Sequence, residues 1–141
     1  ENEQVLVTTT DTITGLLARP SSTTFNELLR IKKDRGEKPF LLLAASYTHV
    51  LELMPHGQIC SQLSRLFERC WPGPVTVIVP TVLTIPAYMR SALHTVAVRI
   101  PAHKGLAAVL KKVPYLFSTS ANISGEPSPY IISEVRRRIP Y

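Results

Sequence analysis

Apolar positions in this chain fall into short blocks with two different periods, and polar or proline-bearing turns separate them. Val5 to Thr9 reads as a strand that ends in the polar turn Thr10 to Gly15. Thr24-Phe25-Asn26-Glu27 has the form of a capping box, and the helix it opens carries Phe25, Leu28, Leu29 and Ile31 into Lys32-Lys33. The unbroken run Phe40 to Ala45 predicts a buried strand, and Ser46 is placed to cap a short helix through Met54. Ile59, Leu63, Leu66, Phe67 and Cys70 recur at helical spacing until Trp71-Pro72-Gly73-Pro74 stops them, a corner on which the indole is expected to pack against a sheet. Further on, the pattern predicts strands over Val75 to Val79, Thr95 to Ile100 and Tyr115 to Thr119. A helical turn is expected from Pro86, a helix over Ala102 to Lys112, and a last helix capped by Ser133. Strands and helices interleave without a repeat, linker or low-complexity tract, so the class is α/β or α+β around a mixed, twisted sheet.

At 141 residues, 45% hydrophobic and 18% charged, the chain is expected to be one globular domain with a real core. No apolar run approaches the length of a membrane span, and no signal peptide is visible, which makes the cytoplasm the expected compartment. Residue 1 is Glu, so the chain reads as trimmed at its start. Cys60 and Cys70 lie on one predicted helix, about 15 Å apart along its axis, and are expected to be reduced. The net charge of +6 favours an anionic partner, nucleotide or nucleic acid.

What is missing narrows the chemistry. The six glycines are scattered, with neighbours at least sixteen residues apart, so neither a P-loop nor a dinucleotide fingerprint can form. The four histidines and two cysteines have no metal-ligand spacing, and no metal site is expected. A triad of Ser120, a histidine and Asp11 lacks the nucleophile-elbow sequence that would support it.

The segment Ser118-Thr119-Ser120-Ala121-Asn122-Ile123-Ser124-Gly125 carries the strongest chemical signal. Four hydroxyls and an amide follow an apolar strand, and a glycine closes them, as a loop holding a polar, phosphorylated ligand requires. The loop Lys32 to Pro39 carries four cations and two anions. It is either a solvated helix end or a cluster converging on the mouth of the next strand, where cations would stabilise a departing pyrophosphate. Thr8 to Thr12 is likewise either a strand chosen for propensity or a ligand-facing turn. Arg99, in an apolar strand, reaches a ligand or pairs with a carboxylate. Arg136-Arg137-Arg138 is a solvated basic face or a nucleic-acid contact.

Together these pieces resemble the YrdC-like family of threonylcarbamoyl-AMP synthases, in the family's order from about Val5 to Arg138. The family's P-T-D-T-x-[YF]-G-L turn corresponds to Thr9 to Leu16, its W-P-G-P-x-T to Trp71 to Thr76, its [AG]-V-R-[IV]-P to Ala97 to Pro101, and its S-x-N-x-S-G to Ser120 to Gly125. Its K-x-R loop followed by K-P falls in the basic loop. There a gapless alignment puts Asp34 in the arginine position, and a shift by one gives Lys33-Asp34-Arg35. Arg35 is taken as the arginine, and Lys32 and Lys33 both stand for the lysine.

The resemblance implies a YrdC-like α/β fold, a twisted mixed sheet with flanking helices and an open basic cavity. It implies synthesis of L-threonylcarbamoyl-adenylate and pyrophosphate from L-threonine, bicarbonate and ATP. Mg²⁺ is expected with the ATP, held by phosphate oxygens and water. A partner transferase would pass the group to tRNA adenosine 37. Lys32 or Lys33 and Arg35 would neutralise phosphates. Ser120 and Asn122 would hold the nucleotide phosphate and carbamoyl group, with Ser118 nearby. Thr10, Thr12, Lys38 and Arg99 would bind substrate. Thr9 replaces the family's proline and Thr14 its aromatic residue, which would loosen the substrate wall. The family's helix before the first strand and its closing segment have no counterpart, so the chain reads as a trimmed domain or a compact variant. The alternative function is a non-catalytic RNA- or nucleotide-binding relative. Asn122→Ala is expected to cut turnover with little loss of fold, because a loop amide contributes little to a core.

Overall fold

The computed structural model describes residues 4–33, 35–36, 38–58, 61–129 and 131–139. Its strands are β1 (Leu6–Thr8), β2 (Gly15–Ala18), β3 (Leu41–Ala44), β4 (Val77–Pro80), β5 (Thr95–Arg99) and β6 (Tyr115–Ser120). The helices are α1 (Ser22–Lys32), α2 (Tyr47–Leu53), α3 (Ser61–Cys70), α4 (Lys104–Leu110) and α5 (Ile132–Arg138), with a 3₁₀ turn at Ala87–Met89. The strands form one sheet in the order β1-β2-β6-β3-β5-β4. Only β3 and β5 pair in parallel, the other pairs being antiparallel, so the sheet is mixed as the interleaved pattern implies. No helix among the described residues is long and apolar enough to cross a membrane.

Strand alternation sends successive side chains to opposite faces, and the two faces are covered unequally. Leu16, Ala18, Leu42, Ala44, Phe117, Val96, Val98 and Val79 enter the larger core, where Leu28, Val50, Leu53, Phe67 and Val135 meet them from α1, α2, α3 and α5. Leu17, Leu43 and Leu116 face the other way and meet Leu106 and Leu110 of α4, with the partly buried Leu41, Ala45 and Val113 packed beside them. On that second face the apolar positions run out toward one end. Leu116 is followed at period two by Ser118 and Ser120, which lie opposite Leu17, Leu41 and Gly15 on the neighbouring strands. The uncovered half of this face is therefore polar, and it forms the floor of a site.

Three sequence expectations change. The strand β2 lies where the sequence reads as turn and connection, because Leu16-Leu17-Ala18 is buried on both faces and too short to display a period. The cap of α1 is Ser21, whose hydroxyl takes the Thr24 N–H at 3.1 Å while Thr24 Oγ1 takes the Ser21 N–H at 3.2 Å. Glu27 pairs instead with Arg30, at 2.7 Å on the exposed side. The last helix starts at Ile132, so Ser133 lies inside its first turn.

The Trp71 to Pro74 corner is structural, as expected, although the indole stacks on Phe67 of α3 at 4.6 Å rather than lying on a strand. Its Nε1–H donates to Val75 O at 2.7 Å, and Gly73 N–H donates to Ile100 O at 2.9 Å. A Cβ at Gly73 would come within 2.5 Å of the Cys70 carbonyl, so this turn admits only glycine without a shift. Cys70 is free and half-buried; Cys60 lies outside the described residues.

Candidate active site

The polar end of the sheet floor borders a cavity of about 260 Å³ lined by Thr10, Thr12, Ile13, Gly15, Arg35, Leu41, Arg99, Ser118, Thr119 and Ser120. Five hydroxyl-bearing residues and two arginines thus line one small space. A larger groove of about 730 Å³ runs between β1, α1 and Ile139, but its charged side chains are Glu27 and Arg30, which are already paired with each other. The smaller cavity is the better candidate because polar groups converge on it without neutralising one another.

Each wall has a local cause. Thr10 folds its hydroxyl back onto its own turn, accepting from the Thr12 and Ile13 N–H groups at 3.1 and 3.2 Å and donating to Ile13 O at 2.8 Å. This holds Thr12 Oγ1 where Arg99 Nη1 donates to it at 3.2 Å. Gly15 is needed on the floor, since a Cβ there would lie 3.1 Å from Thr119 O. On the far wall Arg35 is fixed at three points. Nε donates to Lys38 O at 3.0 Å, Nη2 to Pro39 O at 2.9 Å and Nη1 to Thr119 Oγ1 at 3.0 Å, and the guanidinium lies 4.3 Å from the centre of the Phe40 ring. Burial lowers the Arg35 pKa from its ordinary high value, and the group stays charged.

Lys32 sits behind this floor. Thr24, Leu28 and Lys32 occupy one stripe of α1 at spacing four, so Lys32 is turned into the protein and is 2% exposed. Its ammonium donates to Asn122 O at 2.6 Å, Asn122 Oδ1 at 2.7 Å, Ser120 O at 2.9 Å and Ser120 Oγ at 3.2 Å. The Lys32 carbonyl in turn accepts the Ser124 N–H at 3.0 Å. The end of α1 is thus stitched to the turn after β6. Asn122 is buried and donates through Nδ2 to Glu126 O, across a turn that Gly125 closes at φ +87°.

The sequence-derived candidates separate accordingly. Thr10, Thr12, Arg35, Arg99, Ser118 and Ser120 line the cavity. Lys32 and Asn122 support it from behind, so the Lys32 ammonium is engaged by protein oxygens rather than presented to a phosphate. Lys33 and Lys38 are exposed and do not line the cavity; Lys38 contributes its carbonyl to Arg35. Asp34 lies outside the described residues. Of the two lysines, only Lys32 continues the Thr24–Leu28 stripe, and only it is turned into the protein. Thr14 is buried, and Ile13 rather than Thr14 is among the residues lining the cavity. Thr119, Gly15 and Leu41 enter the site through the pairing of β6 with β2 and β3, which a single strand's pattern does not show, and Ile13 enters with the Thr10 turn. Arg99 pairs with a carboxylate, that of Asp11, and also lines the cavity. No histidine lines the cavity beside Ser120, which leaves the triad without its base. Arg136, Arg137 and Arg138 are exposed on α5.

Burial and the neighbouring Arg35 charge push the Lys32 ammonium down to about 8. The unfolded side chain titrates near 10.5, so between these values the unfolded chain holds the extra proton. Stability from this group therefore rises with pH from 8 to 10.5 and is least below 8. Denaturant midpoints compared at the two ends of that window are expected to show the rise in the native protein, and its absence in Lys32→Met.

Comparison with known proteins places this geometry. A family model for the Sua5/YciO/YrdC domain, described as telomere recombination, matches residues 1–140. A threonylcarbamoyl-AMP synthase from Idiomarina loihiensis is 30% identical over 138 aligned positions, covering 89% of this chain and 74% of that protein. A Sua5 from P. abyssi complexed with L-threonine superposes with a TM-score of 0.85 at 29% identity, over 95% of this chain. The chain spans only 39% of that Sua5. YciO from E. coli superposes with a TM-score of 0.84 over 97% of this chain and 67% of its own, and at 19% identity it supports the fold alone.

Proposed function

Because this chain belongs to the Sua5/YciO/YrdC family, we propose that it is a transferase making L-threonylcarbamoyl-adenylate and pyrophosphate from L-threonine, bicarbonate and ATP. The observation that carries this reading is that Arg35 and Arg99 line one cavity together with five hydroxyl-bearing residues. The amine of threonine and bicarbonate give a carbamate and water. A carbamate oxygen then forms a bond to the α-phosphorus of ATP as the bond to the β-phosphate oxygen breaks, and pyrophosphate leaves with that electron pair.

Such a step asks little covalent work of the protein. It needs negative charge held in place before and after transfer, and oxygens oriented around the phosphorus. Arg35 and Arg99 supply positive charge. Ser118 supplies a hydroxyl donor that a polyphosphate or a carbamate accepts, while the Thr10 and Ser120 hydroxyls donate to Ile13 O and Asn122 Oδ1 and hold the lining in shape. Only one carboxylate, that of Asp11, lies at this turn, and among the described residues no three metal-ligating side chains form a group. Mg²⁺ would therefore arrive on the phosphates of ATP and bring charge neutralisation with it. Transfer of the product to tRNA adenosine 37 would fall to a partner transferase.

The test is pyrophosphate release by the purified chain given ATP, bicarbonate and threonine. Release that depends on threonine and bicarbonate, with the adenylate identified by mass, is the expected result. Nucleotide or tRNA binding without pyrophosphate above a no-threonine control would instead favour a non-catalytic, binding-only relative.

A further inference from the structure

Asp11 stands at the tip of the Thr10–Thr12 turn and does not line the cavity, yet its carboxylate is almost wholly enclosed. Its side chain is 9% exposed and that of Arg99 is 6% exposed. Asp11 Oδ2 accepts the Ala102 N–H at 3.0 Å, which ties the turn to the segment following β5. Asp11 Oδ1 faces Arg99 Nη2 at 3.4 Å, and Arg99 Nη1 donates to Thr12 Oγ1 at 3.2 Å. Two atoms are left over: Asp11 Oδ1 and Arg99 Nε are both buried and have no hydrogen-bond partner among the described residues.

A buried ion pair selected for stability would satisfy its atoms, because an unmatched buried donor costs more than a weak contact returns. This pair is long, single-pointed and leaves a donor of a cavity-lining arginine unspent. Its geometry suits orientation better than cohesion. The negative charge pulls the guanidinium toward the turn by one nitrogen, Thr12 holds a second, and the third stays free.

We infer that Asp11 is a positioning residue, acting through Arg99 to hold that guanidinium in its orientation beside the cavity. The catalytic part of this inference rests on the function proposed above. The positioning itself does not.

Asp11→Asn in the full chain separates the two roles of the carboxylate. The amide oxygen still accepts the Ala102 N–H, so the turn keeps its anchor, while the attraction for Arg99 is gone. Two readouts are needed. In the ¹⁵N–¹H spectrum the Arg99 Nε–H signal, identified by its loss in Arg99→Lys, is expected to be sharp and slow to exchange in the native protein. In D11N it shifts and broadens, whereas the Arg35 signal is unmoved. In steady-state kinetics kcat falls about tenfold to a hundredfold, in proportion to misplacement of an orienting group. In an R99K background D11N then costs little more. An unchanged Arg99 signal in folded D11N, or losses that simply add in the double variant, would overturn the inference. A native protein that releases no pyrophosphate but shows the D11N-dependent shift sinks the proposed function and leaves the positioning role standing. If D11N does not fold, Asp11→Glu carries the test: with the charge kept, the Arg99 signal stays sharp, and broadening there counts against the role.

Discussion

Replacing Lys32 with methionine is expected to destabilise the protein by about 2 kcal/mol and to abolish measurable transfer, although Lys32 lines no part of the cavity. The two substitution effects oppose each other. Methionine fits the same stripe of α1 and escapes the cost of burying an ammonium, a cost visible in the lowered pKa of the group. It also strands Asn122 O, Asn122 Oδ1 and the Ser120 oxygens that the ammonium now serves at 2.6 to 3.2 Å. Bonds to a charged donor contribute about 1.5 to 3 kcal/mol each, and three N–H groups are lost together, so stranding wins. The turn after β6 would relax, and Ser120, which lines the cavity, would lose its place. Guanidinium unfolding and threonine-dependent pyrophosphate release measure the two losses. A variant with native stability and native turnover would show that the turn holds itself.

The same network revises what the sequence implies about Asn122. As a loop amide it should be removable at little cost to the fold. In the structure its side chain is buried, accepts from Lys32 and donates to Glu126 O. Asn122→Ala should therefore lower both stability and activity, and a loss of turnover alone would not identify it as a substrate contact. Sequence reading fails here for a definable reason. The small polar residues mark a ligand loop correctly, but spacing along one strand does not say which of them face the ligand and which face the scaffold. Pairing supplies that. Ser118 and Ser120 continue the face of Leu116, while Asn122 turns back toward α1.

Elsewhere the sequence carries the fold well where burial is one-sided and poorly where it is not. The helices α1, α3 and α4 and the strands β3, β5 and β6 are legible to within a few residues, because each has a long enough period or run. The strand β2 is invisible, buried on both faces and four residues long. Its absence from the sequence reading also hides Gly15 as part of the floor. The cap of α1 is misplaced by three residues because two hydroxyl-bearing frames overlap there, and only the Ser21–Thr24 frame lets Thr24 also donate to Arg19 O.

Arg35→Lys is expected to cut turnover by about a hundredfold or more while lowering stability by only about 1 kcal/mol. The substitution keeps the charge, so a site needing only positive potential would tolerate it. What it removes is shape. The guanidinium is pinned by Lys38 O, Pro39 O and Thr119 Oγ1 and lies over the Phe40 ring, which leaves its position fixed relative to the sheet. A lysine ammonium cannot bond three such separated acceptors in one plane or stack on the ring, and it would settle on one or two of the carbonyls. Under the proposed function, the charge would then no longer be held where the pinned guanidinium presents it. An interaction made mainly in the transition state lowers kcat when removed and leaves KM nearly unchanged, whereas loss of general anion binding raises KM. Steady-state kinetics with threonine varied at saturating ATP separates these outcomes. Raised KM with native kcat would mean that Arg35 attracts the substrate without taking part in the transfer.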